Sequence, residues 1–556
     1  MNQTCLQVTQ TRMKKNMEFH PTILRNNFRI IKSIIPFMVA ITISSSIHAQ
    51  NTTTKSNAQI EAEKKFEINL REKLNNAEKP NLNGKYKADF ESLKQYQIPA
   101  WYEDAKFGIF IHWGIFSVPA IYDCWYGYWM YREPQDMLSD WFRQHKYAAT
   151  RPHHLKYYGP TDKFGYKDFI PMFKAEYFNA TDWVKLFKES GAKYVVPVAE
   201  FHDMFLMYNS ELSRWNSVNM GPKRDVVGEL RKEVLAQGLK FGVSSHRLFH
   251  HDEAYYNHNG KNDVDDPQYW DLYWKPFKNP KVEDTLYIEE SMARAVELVN
   301  NYQPDLFWFD AGTYKPQFKD YCQTIAAHYY NQAEAWKKPG VVINYKWGTY
   351  PEGTAVLDLE ASKMDSVHYP FWQTDMSMNE EWGYSSQENY KTAEQLIHTL
   401  IDIVSKNGSL LLNISPRADG HIPYEQQDRL LAIGVWLKVN GEAIYGTRPF
   451  KNFGEGPTKS TTDMVQQFTA KDIRYTTKGK TLYAITMDWP TETVKMNLPT
   501  VKSKTADAKI TLIGYDKPLQ YKIENEKLFV EFPKLNPYQR ACKYAYVLKI
   551  EGFEIK

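Results

Sequence analysis

The chain has 556 residues, enough to bury a large core and to divide into two or three domains. Aromatic residues make up 15% of it, with 16 Trp and 38 Tyr, an excess suited to stacking sugar rings on flat apolar faces. The formal net charge of +3 comes from residues 1–49, where six basic residues face Glu18 alone; the remainder holds 63 basic and 65 acidic residues, leaving no basic field for nucleic acid.

Arg25, Arg29 and Lys32 precede the apolar run Ile34 to Ile43, and a Ser-rich stretch ends at Ile47-His48-Ala49-Gln50. That order of basic, hydrophobic and small residues predicts a signal peptide over 1–49, cleaved after Ala49, with Met13 or Met17 as alternative starts. The expected location is periplasmic or secreted. The run is short for a bilayer and no other is longer, so no membrane span is expected. Once the leader is removed, Cys124, Cys322 and Cys542 remain. Three cysteines cannot all pair, and their spacing fits no metal pattern. Residues 50–100 read as a polar linker followed by a surface helix, Ile60 to Asn75.

From Trp101 the pattern changes. The stretch Lys106-Phe-Gly-Ile-Phe-Ile-His112-Trp-Gly114 reads as a buried strand ending in His112. Asp182 to Glu189 reads as an amphipathic helix stopped by Gly191, and Lys193 to Glu200 as a strand running into Phe201-His202-Asp203. Helix Val226 to Gln237 precedes strand Leu239 to Ser245, which ends at His246. Helix Ile288 to Asn301 leads to Leu306-Phe-Trp-Phe309, an apolar strand that stops on Asp310. Helix Tyr321 to Trp336 leads to Gly340 through Lys346-Trp347. Ala355 to Glu360 is a further short strand ending in an acid, and helix Thr392 to Ser405 precedes Ser409 to Pro416.

Strand and helix thus alternate about seven or eight times over 101–449, with polar residues gathered at strand ends. This predicts a (β/α)8-type barrel with its site at the carboxyl face. An open doubly wound sheet is the competing topology, although no Gly-rich phosphate loop opens any of the helices. After Arg448-Pro449 short alternating strands take over, among them Lys509 to Tyr515, Thr481 to Met487, Lys527 to Phe532 and Tyr544 to Ile550. They predict a C-terminal β-sandwich over 450–556.

His112, His202, His246, Trp308, Asp310, Lys346 and Glu360 all fall at strand ends that face one mouth. Two carboxylates among aromatics and histidines suit glycoside cleavage, in which one acid attacks the sugar and the other protonates the leaving oxygen. The structural alternative for Asp310 is a helix cap, and for Glu360 a helix-start acid or salt-bridge partner. Metal chemistry is the rival: His246 and His250 have a four-residue spacing, but across a strand-to-loop transition. No metal or organic cofactor is expected.

At these residues the chain resembles the alpha-L-fucosidases, glycoside hydrolase family 29. The resemblance is carried by Trp101-Tyr-Glu-Asp-Ala-Lys-Phe-Gly-Ile-Phe-Ile-His112-Trp-Gly, Gly191-Ala-Lys-Tyr-Val-Val, Trp308-Phe-Asp310 and Trp382-Gly-Tyr384. It continues through Ser405-Lys-Asn-Gly-Ser-Leu-Leu-Leu-Asn413 and Gly441-Glu-Ala-Ile-Tyr-Gly-Thr447. It implies a retaining exo-hydrolase that acts on a glycan, with Asp310 as nucleophile and Glu360 as acid/base. Glu352 is the fallback, because the later Trp372 is followed by Gln373 where another branch has its acid. Sugar-binding residues carried over are His112, Trp125, His202, His246, Trp308 and Lys346.

The chain departs from the family pattern at three places. Cys124 stands before Trp125 where the family has Glu, Phe201 stands where a histidine is usual, and Phe249 stands where the nearest branch has Glu. Loss of a polar partner to a buried hydroxyl costs roughly 1–3 kcal/mol. The expected substrate is therefore fucose or a close relative, with a substituted or different glycoside as the alternative. A silent carbohydrate-binding protein is the third reading. The aromatic insert Trp129 to Phe142 is expected to rebuild the pocket wall, cap the mouth or pack on the rim.

Overall fold

The computed structural model describes residues 56–133, 146–252, 255–276, 284–310, 313–387, 389–491, 493–497, 501–525 and 527–555. The leader and most of the aromatic insert lie outside the described residues. A helix runs Asn57–Asn76, three residues longer at its start than the sequence pattern. No described helix is long and apolar enough to cross a membrane.

Eight parallel strands form the first sheet: β1 Phe107–Ile111, β2 Tyr194–Glu200, β3 Lys240–Ser245, β4 Leu306–Phe309, β5 Val342–Tyr345, β6 Val356–Leu357, β7 Trp372–Ser377 and β8 Gly408–Ile414. Their order is β6-β5-β4-β3-β2-β1-β8-β7. A single parallel bridge between Asp358, just past β6, and Gln373 of β7 brings the two ends together. The sheet is thus a nearly closed barrel, not an open doubly wound sheet. Its strands are apolar because both faces are covered.

Four of the helices that cover it begin on side-chain caps. Asn179 accepts from the backbone N–H of Thr181 and Asp182 at the start of helix Ala180–Glu189. Asp225 caps Val226–Ala236, Asp284 caps Thr285–Tyr302, and Thr392 with Gln395 forms a capping box on Ala393–Ser405. Helices Lys319–Ala335 and Tyr424–Asn440 complete the set. Gly191 takes a φ of 89° after the first of these, a conformation that favours glycine.

Two features depart from the regular alternation that the sequence predicts. Among the described residues no helix separates β5 from β6 or β6 from β7. Gly348, Pro351, Gly353 and Pro370 interrupt that stretch, and they disfavour helix. Strand β7, Trp-Gln-Thr-Asp-Met-Ser, is fully buried yet polar, so its apolar signal is weak.

Beyond the barrel lie two antiparallel sheets, ordered β13-β16-β11-β10-β9 and β12-β15-β14. The strands are β9 Arg448–Glu455, β10 Ile473–Lys478, β11 Thr481–Thr486, β12 Val494–Met496, β13 Val501–Leu512, β14 Tyr521–Glu524, β15 Lys527–Val530 and β16 Tyr546–Ile555. They fit the predicted sandwich, with β13 and β16 longer than the sequence pattern indicates and β9, β10, β12 and β14 outside it. A buried charge cluster ties the sandwich to the barrel. Asp402, on helix Ala393–Ser405, lies 2.7 Å from Lys363, 2.8 Å from Lys406 and 2.6 Å from Arg474 of β10. Burial alone would raise the Asp402 carboxyl, but these three cations hold it far below its usual range. Trp436 also donates to the Ala545 carbonyl at 2.9 Å. Cys124, Cys322 and Cys542 are buried and unpaired.

Candidate active site

Each predicted polar residue stands where its strand leaves the barrel. His112 follows β1, His202 lies two residues past β2, His246 follows β3, Asp310 follows β4, and Lys346 follows β5. Glu360 sits three residues past the end of β6, because that strand stops at Leu357 and not at the acid itself. Glu352, the fallback acid, is exposed on a turn.

The structure brings these side chains together around Asp310. Oδ2 lies 3.0 Å from His246 Nδ1 and 3.3 Å from His202 Nε2. Lys346 Nζ donates to Asp310 Oδ1 and to Glu360 Oε2, at 3.0 Å each. With one ammonium bonded to both, the two carboxylate oxygens can be no more than about 6 Å apart, below the 6.5–9.5 Å that inverting glycosidases need for an intervening water.

Charge follows from these contacts. Burial would raise the Asp310 carboxyl, but Lys346, His246 and His202 hold it well below the usual carboxylate range. Burial likewise opposes the charge on Lys346, yet Asp310, Glu360 and Asp375 around it push its pKa well above normal. His202 is held at about 3 by burial, in spite of Asp310 beside it. His112 is also held low by burial and by neighbouring His246. The nucleophile candidate is thus held as an anion beside one cation, while burial keeps His202 and His112 from taking up a proton near neutral pH.

Aromatic rings line the rest. Trp125 packs at 4.8 Å from His202, edge-on to Phe249 at 5.2 Å. His112 lies 5.2 Å from both Trp382 and His246. Trp308 faces His246 at 5.1 Å and carries Lys346 Nζ over its ring at 4.6 Å. Phe201 is buried among His112, His202 and His246, at 6.0, 4.2 and 5.2 Å. Cys124 is buried against Gly383, with its thiol 3.1 Å from Asp123 Oδ1. The described start of the insert packs on the barrel side: Tyr131 donates to Asp263 at 2.7 Å and Arg132 to the Tyr255 carbonyl at 2.9 Å.

The sequence reading missed a second tier beneath the site. Asp358 accepts from Trp308 Nε1 at 3.0 Å, from the Gln373 amide and from the Asp375 backbone N–H at 3.2 Å. Asp375 is 3.9 Å from Lys346. Burial, then the charge on Asp358, pushes the Asp375 carboxyl well above its usual range. An unusually polar stretch, Trp372-Gln-Thr-Asp375, next to Leu357-Asp358 was the available signal.

The His246–His250 pairing does not form a site. His250 lies on a short helix, Arg247–Asp252, where a loop was expected, and its Nδ1 faces the His202 carbonyl at 2.7 Å. His202, His246 and Asp310 instead place one potential ligand atom each within 4.8 Å of one another.

A family model described as Alpha-L-fucosidase matches residues 73–442, and one described as Alpha-L-fucosidase C-terminal domain matches 466–551. The chain belongs to the alpha-L-fucosidase family. It is similar to plasma alpha-L-fucosidase of Pongo abelii, 32% identical over 479 residues that cover 83% of this chain and 92% of that one. Tissue alpha-L-fucosidase of Homo sapiens is 32% identical over 481 residues, covering 84% and 92%. The crystal structure of Thermotoga maritima alpha-fucosidase in complex with fucose has 30% identity and a TM-score of 0.65, over 84% of this chain and all of that one. As a member of the alpha-L-fucosidase family, the chain is a glycoside hydrolase, and a glycan is its class of substrate.

Proposed function

We propose that this alpha-L-fucosidase homologue removes terminal fucose or a closely related sugar from glycans through a glycosyl-enzyme on Asp310. In the first step the Glu360 carboxyl gives its proton to the glycosidic oxygen as Asp310 bonds to the anomeric carbon, and the aglycone leaves as an alcohol. In the second, Glu360 takes a proton from water, the water oxygen bonds to the anomeric carbon, and Asp310 departs as a carboxylate. Two displacements at one carbon retain its configuration. His112, His202, His246, Trp125 and Trp308 hold the sugar, and Lys346 balances charge on both acids. We place this chemistry on residues 101–449, with 450–556 as the supporting sandwich.

The observation that carries this reading is Lys346 bonded to both acids at 3.0 Å, which keeps the two bonded oxygens within about 6 Å and so favours retention. A 2-fluoro fucosyl fluoride should label the protein once, and peptide mass spectrometry should find the label on Asp310. A label elsewhere, or full turnover by Asp310→Asn, would overturn the assignment.

Phe201 supports a second reading on a substituted or different glycoside, because an apolar ring occupies the space among three histidines. Kinetics on a panel of aryl glycosides separates the two, and turnover of unsubstituted fucoside alone would exclude the second. No turnover of any member would favour a silent binding protein. Export is likewise proposed, on the basic-hydrophobic-small pattern of residues 1–49. N-terminal sequencing of the mature protein should read from Gln50.

A further inference from the structure

Two acceptor atoms face each other at the heart of this site. His202 Nδ1 is 3.0 Å from the His246 carbonyl, which can only accept, so that nitrogen carries the ring proton. In the neutral ring the Nε2 lone pair then points at Asp310 Oδ2, 3.3 Å away. His246 presents Nδ1 to the same oxygen at 3.0 Å, while its Nε2 lies 3.1 Å from Ser244 Oγ. Two nitrogens and one carboxylate oxygen therefore converge.

Their spacing has a chemical meaning. Zinc bonds to histidine nitrogen and carboxylate oxygen at about 2.0–2.1 Å, and in a tetrahedral shell such ligands stand roughly 3.3 Å apart. The two contacts to Oδ2 are 3.0 and 3.3 Å, and all three atoms lie within 4.8 Å of one another, so the two imidazoles would close on a bound ion. Each ligand also has the outer partner that metal-bound side chains require. The His246 carbonyl takes the His202 Nδ1 proton, Ser244 Oγ can take a proton from His246 Nε2, and Lys346 holds the other oxygen of Asp310. The Lys346 charge opposes a cation here, but Glu360 on its far side offsets it. Two nitrogens to one oxygen select a borderline-soft ion over magnesium or calcium.

We propose that a divalent cation of the zinc class binds at the nucleophile through His202 Nε2, His246 Nδ1 and Asp310 Oδ2, as a reversible inhibitor that excludes the sugar. The binding part stands on the geometry; the inhibitory part rests on the reading of Asp310 as nucleophile.

The test is calorimetric titration of ZnCl2 into the full chain in a non-chelating buffer. One zinc ion per chain is expected to bind, MgCl2 is expected to give no heat, and a saturating fuco-configured iminocyclitol should block the zinc. His202→Gln and His246→Gln should abolish binding, with circular dichroism verifying their fold. Ser244→Ala, which leaves all three ligands in place, should weaken it about 10-fold. Undiminished zinc binding in both histidine variants, unchanged affinity in Ser244→Ala, or no binding to wild type would each overturn the proposal. Aryl-fucoside turnover without metal is measured separately, so failure of the fucosidase reading would register there and not in the titration.

Discussion

The Trp308 indole donates to Asp358 at 3.0 Å, linking the strand that carries Asp310 to the seam where β6 meets β7. The same carboxylate accepts from Gln373 across that seam. One buried acid therefore positions the ring beneath Lys346 and closes the barrel.

Asp358→Ala should orphan the Trp308 N–H and the Gln373 amide, each buried. Such groups cost about 1–3 kcal/mol apiece. The expected outcome is a lower midpoint in chemical denaturation together with a fall in kcat, since the ring beside the nucleophile loses its anchor. Asp358→Asn should recover part of the stability.

Lys346→Met should move the acid limb of the pH profile. With the ammonium present, Asp310 stays ionised well below the usual carboxylate range, although burial acts against it. Without it burial dominates, Asp310 takes up its proton at higher pH, and the acid limb of kcat/KM shifts upward. An unmoved limb would mean that Lys346 does not set the charge of the nucleophile.

Glu360→Gln should show a leaving-group dependence. An aryl glycoside with an acidic phenol needs little protonation, so its first step should be nearly unaffected. Natural-type alcohols should lose about 10²–10⁴-fold in kcat/KM. Equal losses on both substrates would argue against a proton donor at this position.

Buried histidines should make the fold less stable in acid. Burial holds His202 at about 3 and His112 and His250 well below the normal value. The unfolded chain protonates these rings near 6.5. Between about 6.5 and 3 it therefore binds more protons than the folded chain, so stability falls as pH falls through that window. Asp310, depressed in the fold, adds loss of the same sign at the acid end. Asp203, raised to about 7 by burial, and Asp375, also raised, take up protons in the fold and oppose this loss, so denaturation midpoints measured across the window should decline by less than the buried histidines alone would give.

Asp402→Ala should leave Lys363, Lys406 and Arg474 buried without their shared counter-charge. Breaking a buried ion pair on one side costs about 3–5 kcal/mol. Denaturant titration should show that loss.

Most of the barrel was legible because strand ends and helix caps are local signals. Phe107 to Ile111 and Leu306 to Phe309 are apolar throughout, and Asp225 and Thr392 mark helix starts. Strand β7 was not legible, because Gln373 and Thr374 satisfy their polar atoms through partners a dozen or more residues away, while Asp375 Oδ1 is buried without a hydrogen-bond partner among the described residues. Thr374 Oγ1, for instance, donates to the Leu359 carbonyl at 2.6 Å. The direct step from β5 to β6 was legible, since the pattern passes from Lys346 to Ala355 without a helix; the passage from β6 to β7 escaped because β7 itself did. The convergence of His112, His202, His246, Asp310, Lys346 and Glu360 followed from fold class, whereas their mutual contacts required three dimensions. Phe201 was legible as a departure, but its place among three imidazoles was not.

The helix-free stretch from β5 to β7 has an evolutionary consequence. Glu360 rides on the one part of the barrel wall where the chain is not committed to a βα repeat. Lengthening or re-routing a surface connection costs little, roughly 0.6 kcal/mol for each doubling of its length. The proposed proton donor can therefore be relocated without rebuilding the wall, whereas Asp310, at the end of a strand paired on both sides, cannot. Within this scaffold the proposed attacking group is pinned by architecture, and its partner is left free to move.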